Sequence, residues 1–437
     1  MNRNWRRYRI QIFALLLHLA VSGYSLAQIK NQDAEAFKQQ FKQQQKEYKD
    51  AFQQDYLKYK QQFRQQLFDY KQDINKQWGF AEVSTANKLV IYSKNRINKL
   101  RVDYRNNELV ASTLNQNALA ELEEFVLATL KQSVAKIQSY GQFPASGSGN
   151  ADFSLAESLG ISLSQVPQLA KNLVHSGKEL PVSESVSGVL SDVILQMTKL
   201  DQLMLESDET EQRADRKYLR SLTTEKIKLE QKRESTQTDP RYKDTRVRKL
   251  PVRKNRWLRA NLYTPYVAEY ANQYQLPKAL IYAIIETESS FNPKAISPIP
   301  AFGLMQIVPT SFGASVNRRL NNNNNAPSAE LLFNSADNVM FGSTFINILL
   351  SRYFKQIDSE ESKLFCAIAA YNTGPSNVAR TFNGGSNSNL RQASEKINSM
   401  SSTEVKQHLE GHLPYEEARQ YLSKVLSAMA FYNNPPA

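Results

Sequence analysis

From residue 28 to residue 78 the chain contains neither Gly nor Pro, and its large apolar residues fall at helical intervals. Tyr48, Phe52, Tyr56, Tyr59, Phe63, Leu67 and Tyr70 are separated by steps of 4, 4, 3, 4, 4 and 3, and Ile74 and Trp78 continue the series. Such spacing places one apolar, mostly aromatic stripe on a long helix whose other faces are Gln and Lys. A stripe of this length needs a covering surface. The reading favoured here is that it docks on the rest of the chain or on a second copy. A membrane-surface or cell-wall contact is the alternative. The steps average close to an 11-residue repeat, so a coiled coil built on them would lean right-handed.

The period then changes. Leu89-Val90-Ile91-Tyr92 is a short apolar run, and Leu100, Val102 and Tyr104 alternate with Lys99, Arg101 and Asp103. With the polar turn at 105–108 and Leu109-Val110-Ala111 after it, this predicts a β-hairpin. A helix is expected over 117–140, a loop over 141–150 and mixed helical pieces over 151–204. Residues 241–259 hold nine Lys or Arg against one acid, Asp244, which reads as a solvated basic linker or face, with contact to anionic glycan or lipid as the alternative. The expected plan is α+β. A leader occupies 1–27, the amphipathic helix 28–80, a small α+β domain 81–207 and a charged linker 208–262. A mainly helical domain then fills 263–437, with helices at 264–274, 278–288, 336–353, 364–372 and 416–432. Asn321–Asn325 mark an exposed loop.

The 437 residues carry a net charge of +13, which favours an anionic partner, and without a nucleic-acid motif a wall polymer or acidic membrane face ranks above nucleic acid. Arg3, Arg6, Arg7 and Arg9 precede an apolar core and the small residues Ser25 and Ala27, the pattern of an export signal cleaved after Ala27. The only cysteine, Cys366, lies in an apolar run and reads as a core residue; none lies near the leader to carry a lipid. The expected location is the periplasm, with peripheral membrane contact allowed.

The chemistry centres on Glu288. Leu280, Ile281, Ile284 and Ile285 recur at helical spacing, and Glu288 extends that stripe while Glu286 falls on the opposite, solvent side. A carboxylate against apolar surface has its ionised form disfavoured, so a raised pKa and a general-acid role are expected. Asn292-Pro293 stops the helix just beyond, leaving the acid beside a loop. Gly303-Leu304-Met305-Gln306 follows, with Gly303 allowing close backbone approach and Gln306 offering an amide. Tyr371-Asn372 then sits at a second helix end, ahead of Gly374-Pro375.

Taken together, Glu288-Ser289-Ser290-Phe291-Asn292-Pro293, Gly303-Leu304-Met305-Gln306 and Ala370-Tyr371-Asn372-Thr373-Gly374 resemble the soluble lytic transglycosylase family. The resemblance continues through Asn334, Asn338, Gly342 and the segment from Pro414 to Tyr421. The block Ile74 to Phe80 and the hairpin after it resemble the N-terminal domain of the membrane-bound lytic murein transglycosylase C subfamily. The resemblance implies a lysozyme-like helical domain that cleaves peptidoglycan strands without a cofactor or metal. It implies Glu288 as the single catalytic acid and then base. It also implies that Gln306 contacts the sugar, that Tyr371 and Asn372 line the cleft and support the glutamate, and that Glu417 and Tyr421 belong to the last cleft motif. Ser289, Gly303 and Met305 are counted with the substrate site, Met305 being by residue type a packing residue. Ala418 stands where the family has threonine, and Pro298-Ile299-Pro300 stiffens the loop before Gly303. Hydrolysis on the same fold and a non-catalytic wall-binding scaffold are the rival readings. His408 and His412 are four apart but lack a third metal ligand.

Overall fold

The computed structural model describes residues 31–137, 153–204, 209–252, 255–297, 300–322, 325–385 and 387–434. The expected leader, the 141–150 loop, Pro298 and the middle of the asparagine run lie outside them. Helix α1 (Asn31–Trp78) runs the length of the Gln/Lys-rich stretch. It crosses the boundary between two compact units, Met1–Tyr59 and Lys60–Ala437. In the first unit residues 31–59 are helical throughout. No helix among the described residues is long and apolar enough to span a membrane.

In the second unit the stripe is covered by the chain itself. Phe63, Leu67, Ile74 and Trp78 are buried, and the Trp78 indole donates to the Arg96 carbonyl at 2.6 Å. Strands β1 (Lys88–Tyr92), β2 (Asn98–Asp103) and β3 (Glu108–Thr113) form the expected hairpin and one strand more. Helix α2 (Leu119–Lys131) packs Leu122, Val126 and Leu130 against Leu89, Leu100, Val102, Leu109 and Ala111. It stops well short of 140 because the chain turns back to pair, with Ser133 bridged to Ser154 and Leu155 N–H donating to the Gln132 carbonyl.

Beyond β4 (Lys178–Glu179), helices α3 (Val182–Met204) and α4 (Glu209–Ser235) pack together over the other face of the sheet. Lys99 and Arg101 are turned inward, and both reach the Glu82 carboxylate, at 2.6 Å and 2.7 Å. Helix α4 also answers the cations of α1: Lys60 and Arg64 pair with Asp215, and Lys71 with Glu225.

The basic linker is corrected. Its middle is strand β5 (Arg246–Pro251), which lies between β3 and β4 in an antiparallel sheet of order β1-β2-β3-β5-β4. Arg246 and Arg248 meet Glu179, and Lys249 meets Glu108. The basic run is therefore largely neutralised inside the fold. The strand was hidden because Val247 and Leu250 serve opposite faces of the sheet, leaving no period-2 signal.

The remainder is helical. Helices α5 (Arg256–Asn261), α6 (Thr264–Tyr274) and α7 (Lys278–Ser289) lead to the candidate acid. Then come α8 (Ser335–Ile348), α9 (Glu360–Thr373), α10 (Pro375–Phe382), α11 (Leu390–Asn398), α12 (Ser402–His412) and α13 (Glu416–Tyr432). Residues 279–285 of α7 are all buried, between α6 and the long α13. After the exposed Lys278 the helix is thus buried all round until its last turn. The fold is α+β, with a small antiparallel sheet ahead of a helical C-terminal region.

Candidate active site

Three segments converge on the end of α7. The helix stops at Ser289, and Ser290 and Phe291 both take left-handed backbone angles, φ 53° and 65°. Two such residues in succession are costly for side chains with a Cβ, so surrounding contacts must hold them. Asn292 is wholly buried, and its amide donates to the Thr85 and Ala86 carbonyls. The Ser290 hydroxyl donates to Asn87 Oδ1 at 3.0 Å. The loop ahead of β1 thus grips the turn that directly follows Glu288.

The second segment is the Gly303 turn. Gly303 has φ 75°, and a Cβ there would lie 2.3 Å from Asn338 Nδ2 and 2.4 Å from the Leu332 carbonyl. Only glycine fits. Asn338, on α8, is fully buried and organises this turn. Its oxygen accepts from Met305 N–H at 2.8 Å, and its amide donates to the Phe302 and Leu332 carbonyls. Phe302 in turn packs edge-to-face on Phe63 of α1, with ring centroids 6.1 Å apart.

The third segment is α13, which packs along α7. Tyr421 donates its hydroxyl to Glu288 Oε1 at 2.6 Å. Tyr371, at the end of α9, donates instead to the Met305 carbonyl at 2.9 Å. The tyrosine touching the acid is therefore the one on the last helix, while Tyr371 ties the Gly303 turn to α9. Burial pushes the Glu288 carboxyl up to about 7; the Tyr421 hydrogen bond and Lys199 pull it down, and Glu417 pushes it up. Burial, followed by the charge of Glu288, drives the Tyr371 and Tyr421 hydroxyls well above their usual range. Both phenols stay protonated and act as donors.

Glu288 and Tyr421 are therefore brought into direct contact, and Tyr371 shares the charge environment. Asn372 is half-buried beside Tyr371. Gln306 is nearly buried, and its amide nitrogen donates to the Gly303 carbonyl at 3.0 Å. Ser289 and Met305 do not present side chains to a ligand. Ser289 is fully buried with its hydroxyl on the Ile285 carbonyl, and Met305 is fully buried against Gly342. The turns that carry these two side chains face the core. Glu286 is not a free solvent-facing residue either. Arg256 of α5, stacked over Phe431, pairs with it at 2.5 Å. Ala418 is buried. His408 Nε2 lies 3.1 Å from the Thr381 carbonyl, and the ring stacks on Phe382.

Sequence reasoning missed Asn87, Lys199 and Arg256. Lys199, on α3, pairs with Glu417 of α13 at 3.0 Å. No local pattern marks these residues, since each meets its partner across a long stretch of chain. Glu417 also acts on Glu288 through its charge, with a cation already on it.

Residues 265–393 match the Transglycosylase SLT domain family. The chain is 40% identical over 176 residues to membrane-bound lytic murein transglycosylase C of Histophilus somni (strain 2336), covering 40% of this chain and 47% of that protein. The protein of the same description from Yersinia enterocolitica is 38% identical over 174 residues, with the same coverage of 40% and 47%. The chain thus matches about half the length of these curated relatives. Among solved structures, the 70 kDa soluble lytic transglycosylase of Escherichia coli aligns at 17% identity and a TM-score of 0.31, over 73% of this chain and 43% of that one. That overlap is too loose to build on, and the assignment rests on the sequence matches. The similarity to the Transglycosylase SLT domain family thus spans residues 265–393, the segment that holds Glu288.

Proposed function

We propose that this protein is an exported peptidoglycan lytic transglycosylase, a lyase that cleaves the β-1,4 bond between N-acetylmuramic acid and N-acetylglucosamine. The observation that carries the reading is Glu288, a largely desolvated carboxyl at a helix end, held by one phenol and raised to about 7. Near neutral pH a substantial fraction is protonated, as a general acid requires. The named activity of the similar proteins points to the same substrate.

The hydrogen bond suggests a division of labour between the two carboxyl oxygens. Tyr421 occupies Oε1 as a donor, so the acidic proton resides on Oε2. That proton passes to the bridging oxygen as the bond from the anomeric carbon to that oxygen breaks. The substrate's N-acetyl group stabilises the cationic carbon. The 6-hydroxyl oxygen of the muramic residue then attacks the anomeric carbon, and its proton returns to Glu288, now the base. A 1,6-anhydro ring closes, and no water is consumed. Tyr421 stabilises the carboxylate between the two transfers. Gln306, Tyr371, Asn372 and Glu417 line the sugar subsites in this reading. Contacts with the membrane or with wall proteins fall to the N-terminal part of the chain.

One observation favours a second reading. Glu417 acts on Glu288 electrostatically, and two carboxylates are the usual equipment of a glycoside hydrolase. The ion pair with Lys199 argues against Glu417 as a free base. Digestion of purified sacculi with the products weighed separates the two. Anhydro ends weigh one water less than reducing ends. Reducing ends only, or anhydro ends still released by Glu288→Gln, would overturn the proposal.

A further inference from the structure

The SLT match begins at residue 265, yet a residue far upstream of it reaches the active-site helix. Lys199 lies on α3, which otherwise packs on α4 and on the core around Phe80. Its ammonium meets the Glu417 carboxylate at 3.0 Å, a contact between residues 218 positions apart in sequence. Glu417 and Tyr421 are four residues apart on α13, so they stand one above the other on the same face. Tyr421 then contacts Glu288 at 2.6 Å.

We propose that Lys199 is a positioning residue of the active site: its ion pair with Glu417 fixes the first turn of α13, and so aims the Tyr421 hydroxyl at Glu288. This rests on the function proposed above. It means that the region preceding the SLT segment completes the site rather than only carrying it. The groups that act on Glu288 are Tyr421 and Glu417 from α13 and Lys199 from α3, and the charge of Glu288 in turn acts on Tyr371 of α9. Lys199 and Glu417 act on it with opposite signs, so the pair also balances the charge seen by the acid. Loss of Lys199 leaves Glu417 uncompensated and favours the protonated acid. Loss of Glu417 does the reverse.

The test uses the full chain and its variants Lys199→Met, Lys199→Arg, Glu417→Gln and the double variant Lys199→Met/Glu417→Gln. Two quantities are read. One is the pH profile of kcat/KM on glycan strands. The other is the titration of Glu288 followed by 13C NMR of labelled glutamate, which needs no substrate. Lys199→Met is expected to lower kcat on the order of tenfold by misplacing Tyr421. It should also move the alkaline limb and the Glu288 titration upward by roughly half a pH unit. Lys199→Arg restores both. Glu417→Gln moves the titration downward, and the double variant returns it close to wild type. An active wild type whose Glu288 titration and kcat are unchanged in Lys199→Met overturns this inference and leaves the proposed function standing. So does a loss of activity in Lys199→Met that Lys199→Arg fails to rescue. A wild type with no activity on any glycan strand overturns the function instead, and the NMR titration still reports whether Lys199 acts on Glu288.

Discussion

Two glutamates, Glu82 beside the sheet and fully buried, and Glu288 at the end of α7 and partly buried, are shifted in opposite directions. Burial pushes the Glu82 carboxyl up, but Lys99 and Arg101 outweigh it and hold it at about 2. Glu288 is pushed up by the same desolvation and meets no cation directly, only the Tyr421 hydroxyl, so it rises to about 7. The lesson is that burial alone does not make an acid. What decides is whether the fold supplies a counter-charge at contact distance. The sheet region supplies two and makes a structural anion. Around Glu288 the nearby cation, Lys199, is paired with Glu417 instead, and the carboxyl stays raised.

The consequences for stability have opposite signs. Glu82, depressed below the ordinary 4.5, contributes stability that is present above pH 4.5 and lost as pH falls toward about 2. Glu288, raised above 4.5, contributes stability present below that value and lost as pH rises through about 7. At neutral pH one residue supports the fold while the other begins to oppose it.

The comparison can be broken most directly at Glu288. Glu288→Gln is expected to lower the rate of muropeptide release ~10³-fold. The same variant should gain roughly 1–3 kcal/mol of stability at pH 8 and nothing below about pH 4.5, read from denaturant melts at both pH values. A variant as unstable at pH 8 as wild type would mean that Glu288 carries no burial cost. The next largest effect is expected at Glu82→Gln, which leaves Lys99 buried without its anion. A loss of about 3–5 kcal/mol is expected, with no change in the pH at which activity is lost. A mild effect would show that water reaches the Lys99 site and that the two glutamates differ less than their surroundings imply.

Tyr421→Phe sharpens the contrast by removing the one direct donor on Glu288. An activity loss of about tenfold and an upward shift of the alkaline limb are expected, because the lost hydrogen bond favoured the ionised acid. A downward shift would contradict the assigned geometry. The smallest effect belongs to Asn87→Ala, which frees the Ser290 hydroxyl at the left-handed turn after the acid. A destabilisation of about 1 kcal/mol is expected, with faster amide exchange confined to the turn.

Much of the helical region was legible beforehand. The helices Thr264–Tyr274 and Glu416–Tyr432 fall where the residue pattern puts them. Proline at the start of the first and the long apolar period of the second are local signals. Glu288 was legible for the same reason, as a carboxylate extending a run of Ile and Leu. The burial of Lys99 and Arg101 was not, since an alternating strand looks the same whether its charged face meets water or Glu82. Strand β5 was illegible because its cations are matched by Glu179 and Glu108, neither of which is near it in sequence.

The sequence by itself determined the long helix, the hairpin and the carboxyl at the end of α7, because each is written in spacing over a few turns or strands. Tertiary structure alone decided which tyrosine touches Glu288, that Ser289 and Met305 face the core, and that Lys199 stands behind Glu417. The physical reason is range. Periodicity fixes which face of an element is apolar, whereas the charge a buried group feels depends on atoms within a few ångströms that the chain brings there from anywhere along its length.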